Sequence, residues 1–222
     1  MARLARLVVP GHPHHVTQRG NRRQATFFKN SDYRDYIELV SKFCRKASTQ
    51  VWAYCLMPNH VHLIMVPSHK DGLRASLGEA HRRYTRKVNS RNEWRGHLWQ
   101  ERFFSFPMDE AHLLAAVRYV ERNPVVAQLC QHPEDWQWSS ARAHLLGRGD
   151  SLVDVRPMLS RINDWATYLS SDEDDGIRDR IATSARTGRP LGDESFVQTL
   201  EEITGRELAP RRPGRKKKPG EK

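Results

Sequence analysis

Apolar residues in this chain recur at two spacings, and the alternation between them outlines the fold. Tyr36, Ile37, Val40, Phe43, Cys44 and Ala47 recur at helical spacing, with Ser31 or Asp32 placed to cap the helix start. Residues 51–57 are β-branched and aromatic and predict a strand. Pro58-Asn59 is a turn signal and residues 60–66 predict a second strand, so the two form a tight hairpin. An earlier strand is expected at His15-Val16-Thr17-Gln18, after breaks at Pro10 and Pro13, followed by the basic turn Gly20-Asn21-Arg22-Arg23.

Past the hairpin, Leu73, Leu77, Ala80, Tyr84 and Val88 share one face of a helix that starts near Asp71. Residues 97–107, aromatic and polar by turns, predict another strand. Asp109 is a good N-cap for a helix to about Arg122, with Leu113, Leu114, Val117 and Val120 as its core stripe. Pro124 disfavours helical geometry at Asn123, so the helix is expected to end or kink there, with residues 125–130 as a short second helix. A further helical stretch follows Trp138-Ser139-Ser140 and runs through Leu146.

Residues 147–150 read as a boundary. Beyond it, 151–169 is weakly helical, 170–180 is acidic and linker-like, and 194–203 predicts a helix. There is no internal repeat. The mixture of periods predicts an α+β fold with an antiparallel sheet. It divides the chain into a main domain at 1–150, a helical extension at 151–205 with no evident role, and a basic, disordered tail at 206–222.

Charge narrows the function. The 222 residues carry a net +11 with a pI near 9.9, which points to a polyanionic partner, nucleic acid first. Residues 205–222 hold eight basic residues against Glu207 and Glu221, a net +6, so the remainder carries +5. The tail is either a solvated segment or a phosphate-binding arm. No apolar run approaches the roughly 18 residues of a membrane span, and the N-terminus lacks a secretory pattern, so a cytoplasmic protein is expected. Cys44, Cys55 and Cys130 are odd in number, widely spaced and without a CxxC pair, so three reduced thiols are expected rather than a disulfide or zinc framework.

Two patterns carry chemistry. In His60-Val61-His62, alternate strand residues point the same way, so both imidazoles project side by side and can chelate one divalent ion. The plainer alternative is a pair of histidines satisfied by hydrogen bonds. Tyr119 and Asn123 lie one turn apart on one side of their helix, displaced from the apolar stripe. A phenol there can attack a phosphate and an amide oxygen can serve as a third metal ligand; otherwise Tyr119 is an ordinary residue of an amphipathic helix. The patterns support each other, because phosphoryl transfer uses both a cation and a nucleophile. No HExxH or catalytic carboxylate accompanies the histidines, which disfavours a zinc hydrolase.

Four ordered motifs resemble the HUH single-tyrosine transposases, and within them the REP-associated tyrosine transposases. They are His15-Val16-Thr17-Gln18-Arg19-Gly20-Asn21-Arg22-Arg23-Gln24, Met57-Pro58-Asn59-His60-Val61-His62, Tyr119-Val120-Glu121-Arg122-Asn123-Pro124 and Trp138-Ser139-Ser140-Ala141. The resemblance spans about residues 1–150. It implies a ferredoxin-like HUH nuclease architecture, an antiparallel sheet flanked by helices. It also implies Mg²⁺ or Mn²⁺ held by His60, His62 and Asn123. The activity implied is cleavage and strand transfer of single-stranded DNA near palindromic hairpins, through a 5′-phosphotyrosine at Tyr119. Broader insertion-sequence transposases commonly carry Gln where Asn123 stands, one methylene longer.

The implied partner is single-stranded or hairpin DNA, with a monomer favoured over the dimers of related transposases. The alternative function is a regulatory hairpin DNA- or RNA-binding protein with little or no catalysis. Arg19, Arg22, Arg23, Arg82, Arg83, Arg86 and Lys87 are expected phosphate contacts, or else solvated surface. His15 and Thr17 share a strand face and read as structural, with proximity to the site as the alternative. Trp94, Trp99 and Phe103 read mostly as core, with base stacking as the other use.

Overall fold

A computed structural model describes residues 5–171 and 176–209. Four strands form one antiparallel sheet: β1 (His14–Arg19), β2 (Thr49–Met57), β3 (His60–Pro67) and β4 (Phe104–Pro107), in the order β2-β3-β1-β4. Helix α1 (Asn30–Lys46) joins β1 to β2, and α2 (Glu79–Arg91), entered through a π turn at Arg74–Gly78, joins β3 to β4. Helix α3 (Glu110–Val126) follows β4. This β-α-β-β-α-β order is the ferredoxin-like plan expected.

The expected hairpin is present. Met57 pairs with His60 across the two-residue connection Pro58-Asn59. The β1 register sets Thr17 opposite His62 and Arg19 opposite His60. Opposed residues share a face, so His15, Thr17, Arg19, His60 and His62 point one way, while Val16, Val61, Leu63 and Met65 point the other.

The second set meets α1 and α2. Val16, Tyr54, Leu56, Val61 and Leu63 pack with Tyr36, Val40, Leu77 and Tyr84 in a largely aromatic core. Burial of each large side chain there is worth about 1.5–3 kcal/mol. Trp99 and Phe103 belong to this core, whereas Trp94 is half exposed. The first set faces α3, whose Leu113, Ala116, Val117 and Val120 bury against Ile64, Phe106 and Cys55. Three shorter helices complete that side: α4 (Ala141–Leu145), α5 (Arg156–Leu159) and α6 (Trp165–Ser170). Helix α7 (Ile177–Thr187) lies there too, and α8 (Glu194–Thr204) packs Leu200 with Leu7, Val9 and Leu208.

Several expectations need correction. The α1 start is two to three residues earlier than a cap at Ser31 or Asp32 would give, with Lys29 at the cap position; Asp32 sits inside the first turn and accepts the Phe28 and Lys29 N–H groups at 2.8 and 3.3 Å. The strand expected at 97–107 shrinks to β4, because the preceding residues turn away after one bridge between Trp99 and Gly20. Helix α3 continues through Pro124 to Val126, and residues 127–129 turn instead of forming a second helix. Pro124 forfeits one i−4 hydrogen bond near the helix end, yet the turn beyond it closes, with the Ala127 N–H donating to the Asn123 carbonyl at 2.9 Å, and its ring is buried.

The segment expected to be a linker contains the start of α7, with Ile177 and Ile181 buried in the second core; residues 172–175 lie outside the described residues. Leu152, Val153 and Val155 enter the first core, and Met158, Trp165 and Leu169 the second. At the start of the basic tail, Leu208 is buried and Arg206 donates to the Ala5 carbonyl at 2.7 Å. The phosphate-binding arm expected beyond it falls on residues 210–222, outside the described residues. Cys44, Cys55 and Cys130 are free thiols, as expected. Among the described residues no helix is long and apolar enough to cross a membrane.

Candidate active site

The histidine-bearing face is covered at its Ile64 and Phe106 end and hollow at the His60 end. There a cavity of about 490 Å³ opens between sheet, α3 and α7. Thr17, Arg19, His60, His62 and Phe104 line it from the sheet, Tyr119 from α3, and Ile181, Ala182, Ala185 and Arg186 from α7. Gln100 and Glu101 close the rim.

His60 and His62 stand with ring centroids 4.9 Å apart, and the Tyr119 ring lies edge-on to His62 at 5.5 Å and 89°. His15, expected to be structural, is a third imidazole of the same cluster. Its Nε2 is 3.0 Å from His62 Nδ1, and its ring stacks on His62 at 5.2 Å. Its other ring contacts are Phe106 and Tyr119 at 5.2 and 6.4 Å. The alternation that puts His15 with Thr17 leaves proximity to the site as the alternative, and the structure bears out that alternative; the neighbouring His14 is also buried, but its Nε2 takes the Val9 N–H.

The three imidazoles are held neutral. Burial lowers His15 to about 3; burial, then the Arg19 charge, lowers His60 to about 4. Burial first, then His60, His15 and Arg19, put His62 well below the ordinary histidine value. Neutral imidazole is the form that binds metal. Asn59 Oδ1 can only accept, so His60 donates Nδ1–H to it at 2.6 Å, which leaves the Nε2 lone pair of His60 for coordination. His62 Nε2 is buried without a hydrogen-bond partner. Such an orphan at a cleft is what a ligand-binding nitrogen looks like before its ligand arrives.

Among the described residues, no three His, Cys, Asp or Glu side chains form a complete metal-binding group. The residues therefore fit a divalent ion as a two-nitrogen clasp completed by oxygen donors. Asn123 is half-buried one turn beyond Tyr119 and is not among the residues lining the cavity.

Two further devices hold the cluster. Glu121, two residues beyond Tyr119, is fully buried and accepts from Ser140 Oγ (2.5 Å), His144 Nδ1 (2.7 Å) and Trp165 Nε1 (2.9 Å), locking α3 to α4 and α6. In the sequence Glu121 stands inside Tyr119-Val120-Glu121-Arg122-Asn123-Pro124 and its partner Ser140 inside Trp138-Ser139-Ser140-Ala141, with no spacing that pairs the two. Gly20 donates to the Asn59 carbonyl at 2.8 Å, and a Cβ there would sit 2.2 Å from the Gln24 carbonyl oxygen, so only glycine lets the basic turn close on the hairpin.

The expected phosphate contacts divide. Arg19 faces the cavity, and Arg22 and Arg23 stand exposed on left-handed backbone beside it, with φ of 54° and 61°. Arg82 and Arg83 both pair with Glu79, and Lys87 with Asp35, on α2 and away from the cavity lining; Arg86 is exposed nearby.

A family model described as "Transposase IS200 like" matches residues 8–123, the segment that carries the cluster. The chain belongs to the IS200-like transposase family. A REP-associated tyrosine transposase of Haemophilus influenzae (strain ATCC 51907 / DSM 11121 / KW20 / Rd) is 25% identical over 122 residues, 50% of this chain and 69% of the relative. A solved structure of a REP-associated tyrosine transposase bound to a REP hairpin superposes with a TM-score of 0.57 at 21% identity. The match covers 70% of this chain and 93% of that one, a likeness of fold. Membership makes this transposase an enzyme that acts on DNA.

Proposed function

We propose that this transposase is a divalent-metal-dependent endonuclease and strand-transferase for single-stranded DNA beside palindromic, REP-like hairpins. The observation that carries the reading is the Tyr119 ring edge-on to His62 across the cavity that His60 also lines. The hairpin-bound structural neighbour supports the choice of DNA form.

His60 and His62 would hold Mg²⁺ or Mn²⁺, with Asn123 as the third protein ligand. When bound, such an ion polarises the scissile phosphate and neutralises charge in the transition state. The Tyr119 phenol oxygen bonds to phosphorus, the bond from phosphorus to the 3′ oxygen breaks, and a free 3′-hydroxyl leaves beside a 5′-phosphotyrosine. Attack by a 3′-hydroxyl on that ester releases Tyr119 and rejoins the strand. Arg19 and Arg186 sit where phosphates flanking the scissile bond would pass. Arg22, Arg23 and Arg86 are assigned the outer backbone contacts, with Arg82, Arg83 and Lys87 weaker because carboxylates already engage them. The apolar α7 residues narrow the cavity around the sugar. The enzyme acts as a monomer in the cytoplasm.

His15 is a positioning residue. By accepting Nδ1–H from His62 it would keep the Nε2 lone pair of His62 available. The test is incubation of the chain with a labelled single-stranded REP-like hairpin and Mn²⁺. A covalent protein–DNA band that disappears in Tyr119→Phe is expected; cutting by that variant would overturn the assignment.

A further inference from the structure

We infer that Phe28 and Trp94 form a stacking platform for one unpaired base of the single strand that leads into the catalytic cavity. The inference rests on the DNA reading above and extends it to a site outside the catalytic cluster.

Phe28 is 45% exposed and Trp94 50%, the only aromatic side chains among the large hydrophobics that the described residues expose. They meet edge to face, with ring centroids 5.5 Å apart at 78°. Both stand on braced backbone. Phe28 N–H donates to Asp32 at 2.8 Å, and Trp94 N–H to the Asn89 carbonyl at 2.9 Å. The Asn89 amide in turn donates to the Gly96 carbonyl at 3.0 Å. Two rings held rigidly and left half bare favour an aromatic partner of fixed plane, and every nucleobase offers one.

Charge selects nucleic acid over a protein surface. Residues 19–29, which lead to Phe28, include Arg19, Arg22, Arg23 and Lys29 and no carboxylate. Trp94 itself stands between exposed Glu93 and Arg95, so the positive charge of the platform comes from the Phe28 side. Geometry ties the platform to the chemistry. The Thr26 and Phe27 N–H groups donate to the Pro58 carbonyl at 2.9 and 3.2 Å. Asn59 donates to the Arg23 carbonyl at 3.1 Å while its Oδ1 holds His60. The chain just before Phe28 and the His60 ring thus both bond to the two-residue turn Pro58-Asn59, the place where a strand following the basic loop from the α1–α2 side would reach the cavity.

The test is tryptophan fluorescence during titration with a 16-nucleotide oligo-dT and, separately, a blunt duplex. Oligo-dT should quench the wild-type signal, and W94F should lose that quench. Trp94→Ala and Phe28→Ala should each weaken oligo-dT binding about tenfold and leave duplex affinity within twofold, with unchanged Tm. Oligo-dT affinity within twofold of wild type in Trp94→Ala overturns the platform. So does wild-type dimerisation by sedimentation that Trp94→Ala abolishes without loss of oligo-dT binding, since a second copy of this chain would then be the occupant. Hairpin cleavage by the wild type separates the readings. Cleavage without a Trp94 effect sinks only the platform; a Trp94-dependent quench without cleavage sinks only the nuclease.

Discussion

The two faces of the central sheet are built from alternate residues of the same strands, yet one is sealed and the other hollow. Toward α1 and α2, Val16, Val61, Leu63 and Met65 meet a continuous aromatic layer and no polar side chain of β3 intrudes. Toward α3 and α7, His15, His60 and His62 border a cavity, and buried ring nitrogens stand without partners. The pair teaches a division of labour. Apolar packing on one side holds the strands still, and that rigidity fixes three imidazoles, of which His15 and His62 each keep a buried nitrogen without a partner at a cost in stability that the packing offsets.

The comparison can be broken from either side. The largest effect is expected on the hollow face, where Tyr119→Phe should lower hairpin cleavage by ~10³-fold or more with hairpin binding retained, read in a single-turnover assay and a band shift. On the sealed face, Leu63→Ala should reduce unfolding free energy by about 2–5 kcal/mol. Urea melts measure it, and Mn²⁺ affinity of the folded fraction should stay within a few-fold; a loss of affinity as large as that of His62→Ala would deny that the faces are separable. His15→Phe should weaken Mn²⁺ binding by roughly 10–100-fold, the range found when the partner of a metal-ligating histidine is removed. Calorimetry or electron paramagnetic resonance reads this directly, independent of cleavage, and an unaltered affinity would return His15 to a packing role.

The smallest effect sharpens the comparison through pH. Burial lowers His14 and His60 to about 4, and His15 and His81 to about 3, from 6.5 in an exposed chain. Between these values the unfolded chain binds protons that the folded chain does not. Their contribution is therefore complete above pH 6.5 and declines as the pH falls toward 4, by at most about 1.4 kcal/mol per pH unit for each group. Saturating Mn²⁺ should steepen the decline if His60 and His62 bind it, because protons and metal compete for the same nitrogens. Urea midpoints across pH 4–7, with and without Mn²⁺, test both parts.

Much of the sealed face was legible in the sequence. Alternating and helical apolar periods put Val61, Leu63, Tyr84 and Val88 inward, and all four are buried. The hairpin was legible because Pro58-Asn59 interrupts two β-rich runs. On the hollow face the α3 stripe Leu113, Val117 and Val120 was legible from its period, and the cavity itself only where a motif marked it, at His60, His62 and Tyr119. His15 reads first as structural, with proximity to the site second, because its contact with His62 depends on a neighbouring strand, through a register that no local spacing reports. Helix α7 escaped because an acidic stretch precedes it and only two of its residues, Ile177 and Ile181, announce an apolar stripe. The end of α3 was placed too early because burial of the Pro124 ring and the turn that closes after it offset the lost hydrogen bond, and that packing is not a local signal.

The late arrival of α7 has a consequence for how this enzyme can diversify. Every motif to which the proposed chemistry is assigned lies before residue 142, whereas one wall of the chamber comes from residues 181–186. Substitutions at Ala182 or Ala185 can therefore reshape the space offered to a substrate while leaving the reacting groups untouched. Conversely, a chain that stops at the end of the matched segment, near residue 123, forfeits that wall together with the Ser140, His144 and Trp165 partners of buried Glu121.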